Sequence, residues 1–204
     1  AGAIFRNSGI RYLFIPYIDP GFRLTLAIRD AVESYRGENG MMPDVIFLEN
    51  HGVIACSDDA EDAIQIHETV NDAIGDYFDL GDFPRPKIAP ADDGYLSDTK
   101  YLKSFVRSHG AGKEYFAALK LYPDQLVYIG PRLDAAIEID PALGTIAYHT
   151  GEKEAMTIEE TLLGVAYVID ETRKAGLTLR QMGERDADFI NNWESEKYRS
   201  KLVK

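Results

Sequence analysis

The chain has 204 residues, 45% of them apolar and 27% charged, enough to bury a sizeable core in one large domain or two small ones. A formal charge of −12 and an isoelectric point near 4.8 set its surface against phosphate backbones, so nucleic acid is not an expected partner. No apolar stretch approaches the roughly 20 residues of a membrane-spanning helix, and AGAIFRNSG at the start is no secretory signal, so no membrane partner is expected.

In chain order, residues 10–15 (IRYLFI) predict a short strand stopped by Pro16. The two prolines and the glycine of PYIDPG predict a rigid loop after it. Leu24, Ala27, Ile28, Ala31, Val32 and Tyr35 then fall on one face of an amphipathic helix closed by Gly37. Residues 45–48 (VIFL) and 53–56 (VIAC) are strand candidates on either side of Asn50-His51-Gly52. Ser57-Asp58-Asp59 offers a cap and negative charge to a helix running to about Leu80. Its apolar stripe is read as Ala60, Ala63, Ile64, His67, Val70, Ile74 and Tyr77. A strand, a helix, a hairpin and a helix in succession predict an α/β layer.

The segment GDFPRPKIAPADDGYLSD (81–98) is dense in Pro, Gly and Asp and is the strongest boundary candidate. Beyond it the sequence predicts a helix over 98–108 and strands near 125–130 (QLVYIG), 134–139 and 145–149. DPALG turns the last two into a hairpin. Thr157-Ile158-Glu159-Glu160 reads as a capping box opening a helix that ends at Gly176, and a final helix carries Phe189, Ile190 and Trp193.

The single cysteine, Cys56, excludes an intramolecular disulfide and makes the cytoplasm the default expectation. Within VIAC it reads as a small buried hydrophobe rather than a reactive thiol. The four histidines, His51, His67, His109 and His149, form neither HxH nor HxxxH, and CxxC is absent, so spacing alone gives no self-contained zinc site. His67 reads as a core histidine, His109 as a cation at a helix C-terminus, and His149 as a strand-end residue. His51 stands apart, because a turn between two buried strands presents an imidazole at the rim of the sheet. Both a metal ligand and a solvent-facing loop histidine fit that position. Tyr17, in the rigid loop, is a candidate proton donor or a packing residue. Glu49 is a candidate base, a hydrogen-bond partner for His51, or a solvated carboxylate.

Two stretches together, PYIDPGF (16–22) with the following LTLAIRDAV, and LENHGVIACSDDAEDAIQIHETVND (48–72), resemble the class II aldolase/adducin family over about residues 10–80. The resemblance implies class II aldolase-like α/β/α layers, present as their C-terminal portion in residues 1–83, followed by a small α/β module over 84–204. It implies a divalent metal, usually zinc, held by three histidines, with His51 matching the ligand from the Asn-His-Gly turn. Tyr17 matches the tyrosine that protonates or steers the substrate, often from a neighbouring subunit, and His67-Glu68 matches a pair read as structural.

The family's HxH ligand pair, its acidic base and its phosphate loop lie upstream and have no counterpart here. Together with a first residue that is not Met, this makes the chain read as part of a longer protein, or as a member without its catalytic half. YPDQLVYIGP (122–131) and FINNWESEKYR (189–199) are similar to C-terminal extensions of larger sugar aldolase-like proteins and imply no chemistry.

The implied activity is metal-dependent C–C cleavage of a sugar or sugar phosphate. The metal polarises the carbonyl and stabilises the enediolate, in a homo-oligomer. A same-family epimerase or dehydratase shares the ligands. A non-catalytic adducin-like scaffold is the alternative from another class.

Overall fold

A computed structural model of the chain describes residues 2–5, 8–193 and 198. It is mixed α/β and divides into two compact units, Ala1–Gly81 and Asp82–Lys204.

The first unit runs β1 (Tyr12–Ile15), α1 (Phe22–Asn39), β2 (Val45–Leu48), β3 (Gly52–Ala55) and α2 (Ala60–Phe78). The strands form a sheet in the order β1-β2-β3, with β1 parallel to β2 and β2 antiparallel to β3. The register pairs Tyr12 with Val45 and Phe47 with Val53, which puts these four side chains on one face. There they pack with Phe5 and with Ile66, Val70, Ala73 and Ile74 of α2. Ile15 and Ile46 belong to the opposite face and are also buried.

Two helix readings need correcting. α1 does not close at Gly37 but runs on to Asn39, and Gly40, in the left-handed conformation at φ 72°, ends it by donating its N–H to the Arg36 carbonyl. A glycine inside a helix costs only about 1 kcal/mol against alanine, so Gly37 is no stop without the left-handed turn.

In α2, Asp59 caps as expected, accepting from the N–H groups of Glu61 and Asp62 at 2.8 and 3.1 Å. The buried stripe is rotated from the expected one, however. Ile64 and Tyr77 are 60% and 54% exposed, and His67 is exposed, 3.2 Å from the Asn71 amide, so it is no core histidine. The helix carries two apolar stripes. The one that wins, Ile66-Val70-Ala73-Ile74, holds no imidazole to desolvate.

The second unit runs β4 (Ile88–Ala91), β5 (Gly94–Ser97), α3 (Lys100–His109), α4 (Lys113–Ala117), α5 (Pro123–Tyr128) and a 3-10 turn at Gly130–Arg132. It continues with β6 (Ile137–Asp140), β7 (Thr145–Tyr148), α6 (Glu152–Lys174) and α7 (Glu184–Asn192). Its antiparallel sheet has the order β4-β5-β7-β6. The core joins Leu102, Phe105 and Val106 of α3 to Ile137, Ile146 and Tyr148 of the sheet and to Ile158, Leu162, Leu163 and Ile169 of α6.

The Pro-, Gly- and Asp-rich stretch after Gly81 is therefore more than a connection, because it contains the β4–β5 hairpin. Gly94 makes that turn possible. Its φ is 100°, and a Cβ there would lie 2.0 Å from the Tyr148 carbonyl oxygen.

The strand expected near 125–130 is the helix α5. Pro123 opens it, and the buried Gln125 side chain accepts the Leu121 N–H at 2.9 Å and donates to the Leu119 carbonyl at 2.8 Å. Local hydrogen bonding overrides the strand propensity of Leu-Val-Tyr-Ile. Thr157 opens no helix either. It lies inside α6, which begins at Glu152, and its hydroxyl donates back to the Lys153 carbonyl.

The strand expected over 134–139 starts later, at Ile137. Its hairpin with β7 turns on Asp140, whose carboxylate accepts the N–H groups of Ala142 and Leu143, and on Gly144 at φ 67°. Of the stretch 189–199, residues 194–197 and 199 lie outside the described residues. Among the described residues no helix is long and apolar enough to cross a membrane.

Candidate functional site

The β2–β3 turn consists of Glu49, Asn50 and His51, between the paired residues Leu48 and Gly52. Asn50 takes the left-handed conformation at φ 58°, which a short polar side chain tolerates better than most. Gly52 follows at φ 142°, where a Cβ would strain the backbone. The His51 N–H donates to the Leu48 carbonyl at 3.1 Å and closes the turn. The Glu49 N–H donates to the Ile15 carbonyl at 3.0 Å, which carries the parallel β1–β2 pairing one step past the strands. That extra bond brings the loop Pro16–Gly21 alongside the turn.

In this arrangement the Tyr17 ring stacks on the His51 imidazole, with centroids 5.3 Å apart and planes at 27°. The Tyr17 N–H donates to Glu49 Oε2 at 3.1 Å. His51 Nδ1 lies 3.2 Å from the Glu49 backbone oxygen. A carbonyl oxygen can only accept, so Nδ1 carries the proton of the neutral ring and the lone pair falls on Nε2. His51 Nε2 is buried and has no hydrogen-bond partner among the described residues. Metal-binding histidines take this form, with one nitrogen anchored as donor and the other presenting its lone pair.

The structure thus brings Tyr17, Glu49 and His51 together at one rim of the first unit's sheet. It leaves the other histidines elsewhere. His67 faces out from α2, and His109 and His149 belong to the second unit. His109 Nε2 is 3.3 Å from Asp170, and its ring stacks on Phe105. His149 lies between Glu138, 3.3 Å from Nε2, and Asp93, 3.1 Å from Nδ1. Its hydrogen bond to Glu138, then that to Asp93, hold its pKa above the ordinary imidazole value.

One residue at the rim was not singled out from the sequence. Asp19, in the same loop as Tyr17, has a buried Oδ1 with no hydrogen-bond partner among the described residues. The available signal was a carboxylate held between two prolines in PYIDPG.

His51 fits the role of a single metal ligand. Among the described residues no three His, Cys, Asp or Glu side chains converge on one point, so the chain as described offers a donor rather than a full set.

A cleft of about 630 Å³ lies at the far end of the same hairpin, lined by Arg11, Asp44, Cys56, Ser57 and Asp58 among others. Arg11 and Asp44 form an ion pair at its wall. Burial, with Asp44 as a lesser cause, raises the Cys56 thiol pKa, so the group is protonated and unreactive at neutral pH. None of Tyr17, Glu49 and His51 lines this cleft. Its volume alone gives it no claim to the chemistry.

Compared with models of known protein families, with curated proteins and with solved structures, the chain has no match.

Proposed function

We propose that the first unit is the C-terminal portion of a class II aldolase-like domain. In this reading His51 is one of three imidazole ligands to a divalent metal, zinc by preference, in a lyase cleaving a C–C bond of a sugar or sugar phosphate. The observation that carries the reading is the state of His51, with Nδ1 anchored 3.2 Å from the Glu49 carbonyl and Nε2 buried without a hydrogen-bond partner. The stacked Tyr17 adds support, since the two residues the motif pair singles out meet in space.

When bound, the metal would supply Lewis acidity towards a carbonyl oxygen. A neutral imidazole leaves the ion its positive charge, which a carboxylate ligand would reduce. Tyr17 covers one face of the His51 ring, keeps water from it and offers a phenolic proton donor beside it. The second unit is then an extension module, the cytoplasm the location and a homo-oligomer the assembly.

Nitrogen-15 NMR of the histidine rings during a zinc titration tests the reading. Zinc should move the His51 Nε2 resonance and leave that of the exposed His67 in place, and His51→Ala should remove the response. Zinc that leaves His51 Nε2 unmoved overturns the reading.

A second reading, an adducin-like scaffold, draws on the large exposed apolar side chains of the first unit. Phe14, Phe22 and Ile64 are 52%, 76% and 60% exposed. Self-association that is lost in Phe22→Ser, in a chain that ignores zinc, would favour it.

A further inference from the structure

We infer that Glu159 is a proton switch in the core of the second unit. Its carboxyl group alternates between accepting hydrogen bonds as an anion and donating one to the Thr99 hydroxyl as a neutral acid. Glu159 lies on α6 and is fully buried. Oε1 accepts the hydroxyl of Ser97, at the end of β5, at 2.8 Å, and Oε2 accepts the hydroxyl of Tyr148, at the end of β7. The hydroxyl and the N–H of Thr99, the residue that opens α3, also donate to the carboxylate. Among the described residues no Lys, Arg or His pairs with it.

A buried carboxylate matched with a guanidinium is held in one form, because the cation keeps it ionised. Hydroxyl groups impose no such choice, since each has a proton to donate and lone pairs to accept with. Thr99 has the means to change sides. Its Oγ1 accepts the Lys87 N–H at 2.7 Å and lies 3.3 Å from the Lys87 carbonyl oxygen. When the hydroxyl proton turns to that carbonyl, an Oγ1 lone pair is left for the proton of a neutral Glu159. Burial favours the neutral form, and the converging donors favour the anion. Burial is the larger effect and raises the Glu159 pKa above the ordinary carboxylate value.

Among the described residues Tyr148 is the titratable group turned towards Glu159 from the elements around it. Burial, then the Glu159 charge, lifts its phenol well above the ordinary value, so it stays protonated throughout. The charges of Lys87 and Asp98, beside Thr99 and Ser97 in the fold, are exposed and turned to each other at 2.5 Å.

A folded core that binds this proton more tightly than the unfolded chain gains stability from it. That contribution is complete below the ordinary value of about 4.3 and is lost as pH rises through the folded value. Within that window each pH unit changes the folding constant by up to about tenfold.

A carbon-13 NMR titration of the Glu159 side-chain carboxyl group tests the switch in the unaltered chain. Its midpoint should lie above about 4.3, and the amide protons of Thr99 and Lys87 should move with the same midpoint. Glu159→Gln keeps a neutral side chain at every pH. Under urea unfolding followed by Trp193 fluorescence, the folding constant of the unaltered chain should therefore fall relative to that of Glu159→Gln as pH rises through the window. A midpoint at or below about 4.3 overturns the proposal, as do amides indifferent to the titration. So does a Glu159→Gln chain whose stability follows pH as the unaltered chain's does. If that variant does not fold, the titration of the unaltered chain decides alone.

Discussion

Among the described residues Arg132 and Glu154 form the most heavily buried ion pair in the second unit, with side chains 5% and 10% exposed and Nε donating to Oε1 at 2.5 Å. The guanidinium also donates to the carbonyls of Val127 and Tyr128 at the end of α5, at 3.0 and 3.3 Å. Glu154, in the first turn of α6, also accepts the Thr150 hydroxyl. Removing either partner takes from a buried charge the counter-ion it meets at 2.5 Å, which costs about 3–5 kcal/mol.

Glu154→Leu falls at the upper end, because the guanidinium loses the carboxylate it meets at 2.5 Å. Arg132→Met falls at the lower end, because Glu154 retains Thr150 and the positive end of the α6 dipole. The double variant buries neither of these charges and should cost less than either single one, so the coupling energy exceeds the larger single cost, at least about 3 kcal/mol. Urea unfolding followed by the fluorescence of Trp193, the single tryptophan of the chain and a residue of the second unit, measures it. A coupling below about 0.5 kcal/mol would show the pair to be no more than an exposed contact, and the reasoning from burial would fail.

The other predictions are narrower. Gly94→Ala sets a Cβ 2.0 Å from the Tyr148 carbonyl oxygen at a φ of 100°, so urea unfolding should show a loss of more than about 1 kcal/mol, and an unchanged midpoint would contradict the close approach. Val70→Ala should destabilise by about 2 kcal/mol and Ile64→Ala by less than about 0.5 kcal/mol, since Val70 is 1% and Ile64 60% exposed; the reverse order would restore the stripe expected from sequence. For His149 the folded pKa is raised, so its stabilising contribution is complete below the unfolded value of about 6.5 and fades as pH rises through the folded value. NMR titration should find a His149 midpoint above that value which falls in Glu138→Gln, and a midpoint indifferent to that substitution would remove Glu138 as the cause.

The first unit was legible where local signals are strong. VIFL and VIAC on either side of Asn-His-Gly define a hairpin, and Ser-Asp-Asp before a helical stripe defines α2. The face α2 buries was not, since two stripes of similar apolarity compete and only the sheet chooses between them. In the second unit, Leu-Val-Tyr-Ile has the composition of a strand, but Pro123 and the buried Gln125 amide settle it as a helix. The meeting of Tyr17 with Glu49, 32 residues apart, follows from the β1–β2 pairing, which no local pattern encodes. The orientation of His51 was equally out of reach, because it hangs on a single backbone oxygen of the turn.

The parallel pairing of Ile15 with Leu48 has an effect beyond stability. It works as a ruler, because it fixes how far each strand must run before the chain is released into the loop on one side and the turn on the other. Lengthening either segment by one residue would slide one ring past the other by about 3.3 Å, roughly the thickness of an aromatic ring and enough to undo a stack. The rim therefore tolerates changes of side chain far better than changes of length. Variation in this part of the molecule should be sought in substitutions, and an insertion between Ile15 and Tyr17 would part the Tyr17 ring from the His51 imidazole.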